Sequence, residues 1–286
     1  MGRNEPSDSR SFKERVREQW NEAAERWHRW APFMREQYAP ATDLMLDLAR
    51  IGPGSRVLDV AAGDGDQSLL AAERVGSSGY VLATDLAEDL LAYAQSSARE
   101  AGLRNLETQV MDGENLDLPN SSFDAVICHF GLMFFPNPDR GLKEMLRVLK
   151  PGGRASLVLY AEGGSPESSL ASSIIRQHLG EDMPEPERLS GRSLGAPGVL
   201  EGKLEAAGFE EVELHALSLT LRLKSAAEAR EYLQEAYPTL REMMSPLSPN
   251  EREETWLEIE QALAAYQGAQ GLEIPNEFLV AAGSAA

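Results

Sequence analysis

Val57-Leu-Asp-Val-Ala-Ala-Gly-Asp-Gly-Asp66 is a short run of strand character that breaks into a turn containing Gly63 and Gly65. Glycine supplies the backbone freedom and the close approach that such a turn needs. Gln67 to Val75 then reads as a helix. The free N–H groups and positive dipole end of that helix favour an anionic or polar ligand group at the turn. Asp85 stands twenty residues beyond Gly65, at the end of the next strand, Tyr80 to Thr84. A carboxylate there can accept from both hydroxyls of a ribose. Turn and acid together predict a nucleoside site.

Working outward, the same alternation continues. Glu88–Ala101 reads as a helix, Leu106–Val110 and Phe123–Cys128 as strands, Asp139–Leu149 as a helix and Arg154–Tyr160 as a strand. Strands alternating with helices imply parallel crossovers and a sheet covered on both faces. The expected fold is α/β: a Rossmann-like, doubly wound, mostly parallel seven-stranded sheet, with N-terminal helices and a helical cap insertion. Residues 1–10 have no periodicity and are expected to be a disordered tail. Residues 11–50 form an N-terminal helical lid of two helices, Ser11–Ala31 and Ala41–Arg50, the second stopped by Gly52-Pro53-Gly54. The nucleoside-binding core spans 51–160. A cap insertion follows at 161–193 with one helix, Ser168–Leu179. The core resumes at 194–224 with a helix (Pro197–Gly208) and a strand (Val212–Leu223). Residues 225–270 are a helical insertion broken at Pro238 and at Ser245–Pro249, and 271–286 hold a last strand, Glu277–Ala282, and a tail.

Composition narrows the function. The 46 acidic and 27 basic residues leave a formal charge of −19, which repels phosphate backbones and anionic lipid surfaces and argues against a nucleic-acid partner. No apolar stretch reaches the length of a membrane span and no signal peptide is evident, so a cytoplasmic protein is expected. The single cysteine, Cys128, excludes an intrachain disulfide and a cysteine zinc site, and no metal is expected. It reads as a small buried hydrophobe.

The dinucleotide fingerprint fits the turn badly, because Ser68 stands where its third glycine belongs. Asp64 and Asp66 would also repel a pyrophosphate, whereas a ligand with an amino group and a sulfonium suits an acidic loop. With the stretch 57–66, the segments Ala83-Thr-Asp-Leu86, Met111-Asp-Gly-Glu-Asn-Leu116, Phe123-Asp-Ala-Val126 and Leu146-Arg-Val-Leu-Lys-Pro-Gly-Gly-Arg154 complete an ordered set. In order and spacing the set resembles class I S-adenosylmethionine-dependent methyltransferases, above all the ubiquinone/menaquinone C-methyltransferase type and its small-molecule relatives. The likeness is close over about residues 50–160 and looser over 12–40 and 194–223.

That resemblance implies S-adenosyl-L-methionine as cofactor and a small-molecule acceptor. It places Asp59, Ala61, Gly63, Asp64 and Gly65 around the methionine end, Asp85 on the ribose, Leu86 and Met111 against adenine, and Asp112 with Gly113 at its amine edge. Ala61 replaces the usual first glycine and is expected to keep ordinary strand dihedrals. His129, just past the fourth strand at the carboxyl edge of the sheet, is the candidate base, cofactor contact or wall residue. Trp20, Trp27, Trp30, Phe33, Met133 and Phe134 are expected to line an apolar, aromatic acceptor pocket. The same rings could instead simply pack the helix onto the sheet. A nicotinamide-dependent oxidoreductase and a catalytically silent cofactor-binding module are the competing readings. Oligomeric state and the methylated atom are not legible.

Overall fold

A computed structural model describes residues 7–162, 164–180 and 194–286. Its strands in chain order are β1 (Arg56–Val60), β2 (Tyr80–Asp85), β3 (Leu106–Val110), β4 (Phe123–His129), β5 (Leu149–Tyr160), β6 (Glu210–Leu223), the short β7 (Gln267–Gly268) and β8 (Gly271–Ser284). They form one sheet in the order β3-β2-β1-β4-β5-β8-β6, with β7 paired only to β8. β1 to β5 run parallel, and β8 is inserted antiparallel between β5 and β6. Chain order reverses between β1 and β4, which opens a crevice at their carboxyl ends.

Alternation along the buried strands sends side chains to opposite faces. Val57, Ala125 and Ile127 pack with Met45 and Leu46 of α1 (Ser7–Leu48), Ala71 and Val75 of α2 (Asp66–Val75) and Leu91 of α3 (Glu88–Glu100). Leu58, Val60 and Val126 meet Leu142 and Met145 of α4 (Pro138–Val148) and Leu200 and Leu204 of α6 (Val199–Ala207). Each such aliphatic side chain contributes about 2 kcal/mol when buried.

A third cluster lies outside these layers. β5 pairs with β8 only from Phe278 onward, so the rest of β8 and the matching half of β6 project past the sheet. Leu221, Leu223, Leu272 and Ile274 on this overhang pack against α5 (Pro166–Leu179), α7 (Ala226–Ala236), α8 (Pro238–Met243) and α9 (Pro249–Leu263). The last strand is therefore much longer than Glu277–Ala282, because pairing with β6 extends it back through Pro275.

The lid also departs from expectation. One helix, α1, replaces two and carries Pro32 and Pro40 inside it. A proline within a helix costs about 3 kcal/mol, but burial of Ala31, Met34, Tyr38, Ala41, Met45 and Leu46 along one face outweighs that preference. Helix begins at Ser7, inside the expected tail, and residues 1–6 lie outside the described residues. Residues 181–193 of the expected cap insertion do so as well. No helix among the described residues is long and apolar enough to cross a membrane.

Gly65 sets the packing of α2 on α3. Its φ is 84°, and a Cβ there would lie 2.6 Å from the Ala94 Cβ. Gly65→Ala combines left-handed strain of about 1–2 kcal/mol with overpacking of about 1–3 kcal/mol. We expect a loss of at least about 2 kcal/mol in urea denaturation, and an unchanged midpoint would contradict this packing.

Candidate active site

The turn after β1 folds back onto the end of β2. Gly63 N–H donates to Asp85 Oδ2 at 2.9 Å, and Ala87 N–H donates to Oδ1 at 2.9 Å. Burial raises the Asp85 pKa against the opposing pull of N–H groups from Ala87, Gly63 and Leu86. Glycine turn and acid thus meet as the sequence implied. Ala61 does not keep strand dihedrals: its φ is 57°, in the left-handed region that costs an L-residue about 1–2 kcal/mol. Phe130 shares that strain at φ 59°. Left-handed Ala61 aims its methyl at Gly131, where a Cβ would come within 2.4 Å of it.

Between these segments lies a cavity of about 160 Å³. Ala61, Gly63, Asp64, Asp85, Leu86, Met111, Asp112, Gly113 and His129 all line it, as do Trp20, Trp27 and Phe134. Five expected residues do not. Asp59 is fully buried beneath the turn, where the Ser68 hydroxyl donates to it. Gly65 packs on α3 instead. Met133 lies in the short turn Leu132–Phe134 without reaching the cavity. Trp30 and Phe33 turn to a flank of α1, with ring centroids 5.1 and 5.4 Å from Tyr232, and line a separate open groove. Helical phase contributes: seven-residue steps keep Trp20, Trp27 and Met34 on one face, Phe33 falls well off it, and Trp30 sits at its edge, turned towards Tyr232 and Glu235. Met34, Tyr38 and Thr42 complete that face of α1 in the cavity wall. Splitting α1 at its prolines hid their common face.

α1 roofs the cavity and is fastened to its acids. Trp27 Nε1 donates to Asp64 Oδ1 at 3.0 Å, and His28 Nδ1 lies 3.0 Å from Asp64 Oδ2. Hydrogen bonding to Asp64 raises the His28 pKa, although burial opposes it. Arg35 pairs with Asp66. Lys13 reaches Asp112 at 2.7 Å and Glu114 at 2.9 Å. The acidity of the loop, expected to serve a cationic ligand, is thus largely engaged in holding the roof. A carboxylate has about four acceptor positions, and these contacts leave some of them open.

His129 Nε2 lies 3.2 Å from the Thr42 hydroxyl, and burial lowers its pKa to about 4. An imidazole that weakly basic is a poor general base at neutral pH, so the wall or contact role is the better description. Burial pushes Asp59 the other way, to about 7. The two titrations oppose each other. The unfolded state binds the His129 proton more tightly, so that term favours folding above about pH 6.5 and is lost as pH falls towards 4. Asp59 favours folding at low pH and loses its contribution as pH rises through 7. His129→Gln removes the first term alone. Between pH 7 and 5 the urea-derived stability of wild type should fall by up to about 2 kcal/mol more than that of the variant, and parallel curves would refute the neutral, buried imidazole.

A methyltransferase domain model matches residues 57–153. Nocamycin O-methyltransferase from Saccharothrix syringae is 34% identical over 202 residues, covering 67% of this chain and 72% of that protein. A ubiquinone/menaquinone biosynthesis C-methyltransferase from Bordetella parapertussis is 40% identical over 118 residues, 41% of this chain and 45% of that protein. Among solved structures, an S-adenosylmethionine-dependent methyltransferase from Aquifex aeolicus superposes with a TM-score of 0.50 at 22% identity, over 66% of this chain and 87% of that one. The nicotinamide-dependent alternative lapses against this set. Identity sustained along most of a named methyltransferase, on a sheet that reverses its order where the glycine turn meets Asp85, means that the chain belongs to the class I S-adenosylmethionine-dependent methyltransferases.

Proposed function

We propose that the cavity holds S-adenosylmethionine with its ribose on Asp85, its adenine against Leu86 and Met111 with the amine towards Asp112, and its methionine portion along Ala61 to Asp64. The methyl group passes to a small apolar or aromatic acceptor at the end lined by Met34, Tyr38, His129 and Phe130. The observation that carries this reading is the Asp85 carboxylate, fixed by Gly63 and Ala87 and open to the cavity. The donor set fits the group: carboxylates for a diol and an amine, and apolar side chains between them for a flat base. When bound, the cofactor supplies an electrophilic methyl on a sulfonium whose leaving group departs neutral, so no general acid is required.

The chain's own contribution is positioning and exclusion of water. Trp20 stacks edge-on with Trp27 at 5.0 Å and with Phe134 at 5.6 Å, closing the roof over the turn. Phe130 stacks on Tyr160 at 4.8 Å and walls the far end. The identity to an O-methyltransferase supports oxygen as the accepting atom.

Asp85→Ala should weaken S-adenosylhomocysteine binding at least about 100-fold in calorimetry, given two hydrogen bonds to a charged group at about 1.5–3 kcal/mol each. Circular dichroism would verify that the variant folds. An undiminished affinity in the folded variant would overturn the placement.

A further inference from the structure

At the acceptor end of the cavity a polar atom has spare capacity. His129 closes β4 at the carboxyl edge of the sheet, and Thr42 meets it from α1, four residues after Tyr38. The Thr42 hydroxyl donates to the Tyr38 carbonyl at 3.2 Å and lies 3.2 Å from His129 Nε2. A hydroxyl has one proton and a carbonyl can only accept, so both contacts are made at once only when Nε2 carries a proton and donates to Thr42. The imidazole is neutral, because burial lowers its pKa to about 4. Its lone pair is therefore on Nδ1. Among the described residues nothing donates to Nδ1, yet it is not sealed away as the unpartnered Asp59 Oδ1 and Asn276 Oδ1 are. It opens on the cavity that His129 lines. Neighbouring polar groups are engaged elsewhere. The Tyr38 hydroxyl sits 3.3 Å from that of Tyr160 and 3.2 Å from that of Tyr232, and Tyr237 donates to Glu167 Oε1 at 3.1 Å. Tyr160, Tyr232, Tyr237 and Glu167 all lie outside the cavity lining. Gln67 Nε2 donates to the Ala62 carbonyl at 3.0 Å, and Arg35 holds Asp66.

Building on the proposed methyl transfer, we propose that His129 Nδ1 accepts a hydrogen bond from the methyl acceptor, and that the acceptor is a flat molecule carrying a neutral hydroxyl, a phenol or an enol. A bare lone pair attracts an O–H and repels an anion, so the site turns away carboxylates and phenolates. Met34, Leu70 and Phe130 make the rest of this wall apolar. A hydroxyl buried against them would be left unpaired, which costs more than the bond itself is worth. Nδ1 therefore selects both the molecule and the way round in which it lies. An imidazole that titrates at about 4 does not take a phenol's proton at neutral pH, so His129 orients the hydroxyl and leaves it protonated. Thr42 is a positioning residue that acts through His129. By keeping the proton on Nε2 it keeps Nδ1 bare, while Phe130, tilted against the imidazole with centroids 4.5 Å apart, holds the plane of the ring.

Two naphthalenes that differ in one donor test this on protein saturated with S-adenosylhomocysteine. 2-Naphthol carries an O–H, and 2-fluoronaphthalene carries a fluorine of similar size and no donor. Nitrogen NMR of isotope-labelled wild type should show His129, assigned by its loss from His129→Gln, protonated at Nε2 and bare at Nδ1. Adding 2-naphthol should move the Nδ1 signal towards its hydrogen-bonded position, and adding 2-fluoronaphthalene should not. His129→Gln keeps a donor near the Nε2 position and removes the acceptor, so it should weaken 2-naphthol binding about tenfold and leave 2-fluoronaphthalene within about twofold. His129→Asn returns an acceptor oxygen to the Nδ1 position and should restore most of the 2-naphthol affinity. Thr42→Val should let Nδ1 take a share of the imidazole proton. A wild-type proton on Nδ1, equal losses of the two probes in His129→Gln, no rescue by His129→Asn, no 2-naphthol binding, or an Nδ1 signal that S-adenosylhomocysteine moves and 2-naphthol does not would overturn the assignment. S-adenosylhomocysteine binding, measured separately by calorimetry, would in that case stand, whereas its absence from wild type would remove the donor site on which the proposal rests.

Discussion

Two backbone N–H groups on one buried carboxylate hold the site in shape. Gly63 reaches Asp85 from the turn after β1, and Ala87 reaches it from the start of α3. Parallel pairing of β1 with β2 brings those segments alongside each other, and the carboxylate, together with the bond from Ala62 N–H to the Thr84 carbonyl, fixes the distance between them. Everything at the cavity floor inherits that distance. The left-handed backbone at Ala61 and Phe130 is tolerated because neighbouring strands and the helices beneath them leave the chain no other course.

The roof competes for the same acids as any cofactor. Trp27 and His28 hold Asp64, Arg35 holds Asp66, and Lys13 bridges Asp112 and Glu114. These contacts are mostly part-buried and charge-assisted, hence stronger than surface pairs. Trp27 and His28 each take one oxygen of Asp64, so a ligand at these acids shares only the acceptor positions that the helix leaves over.

Most of the nucleotide-binding architecture was legible because strand–turn–helix grammar is local. Tyr80 to Asp85 and Leu106 to Val110 announce themselves by composition, and Gly63, Gly65 and Asp85 by spacing. What escaped depended on distant partners. α1 runs through Pro32 and Pro40 because tertiary burial outweighs a local preference, and with that continuity came the cavity positions of Met34 and Thr42. Asp59 looks like a ligand contact in a motif yet bonds to Ser68 below the turn, a matter of which side of one strand it occupies. No periodicity marks Glu167 or Tyr237, whose meeting depends on how α5 and α8 dock on the overhang. The weak basicity of His129 follows from its surroundings and not from its neighbours in sequence.

The overhang of β6 and β8 has an evolutionary consequence. It is a two-stranded arm that bears α5, α7, α8 and α9 away from the parallel layers, and its rungs do not involve β1 or β2. Insertions or exchanges of helices on that arm can reshape the chamber for a new guest while the register of the inner strands stays untouched. A lineage built this way can diversify its products without reinventing how it grips the activated methyl.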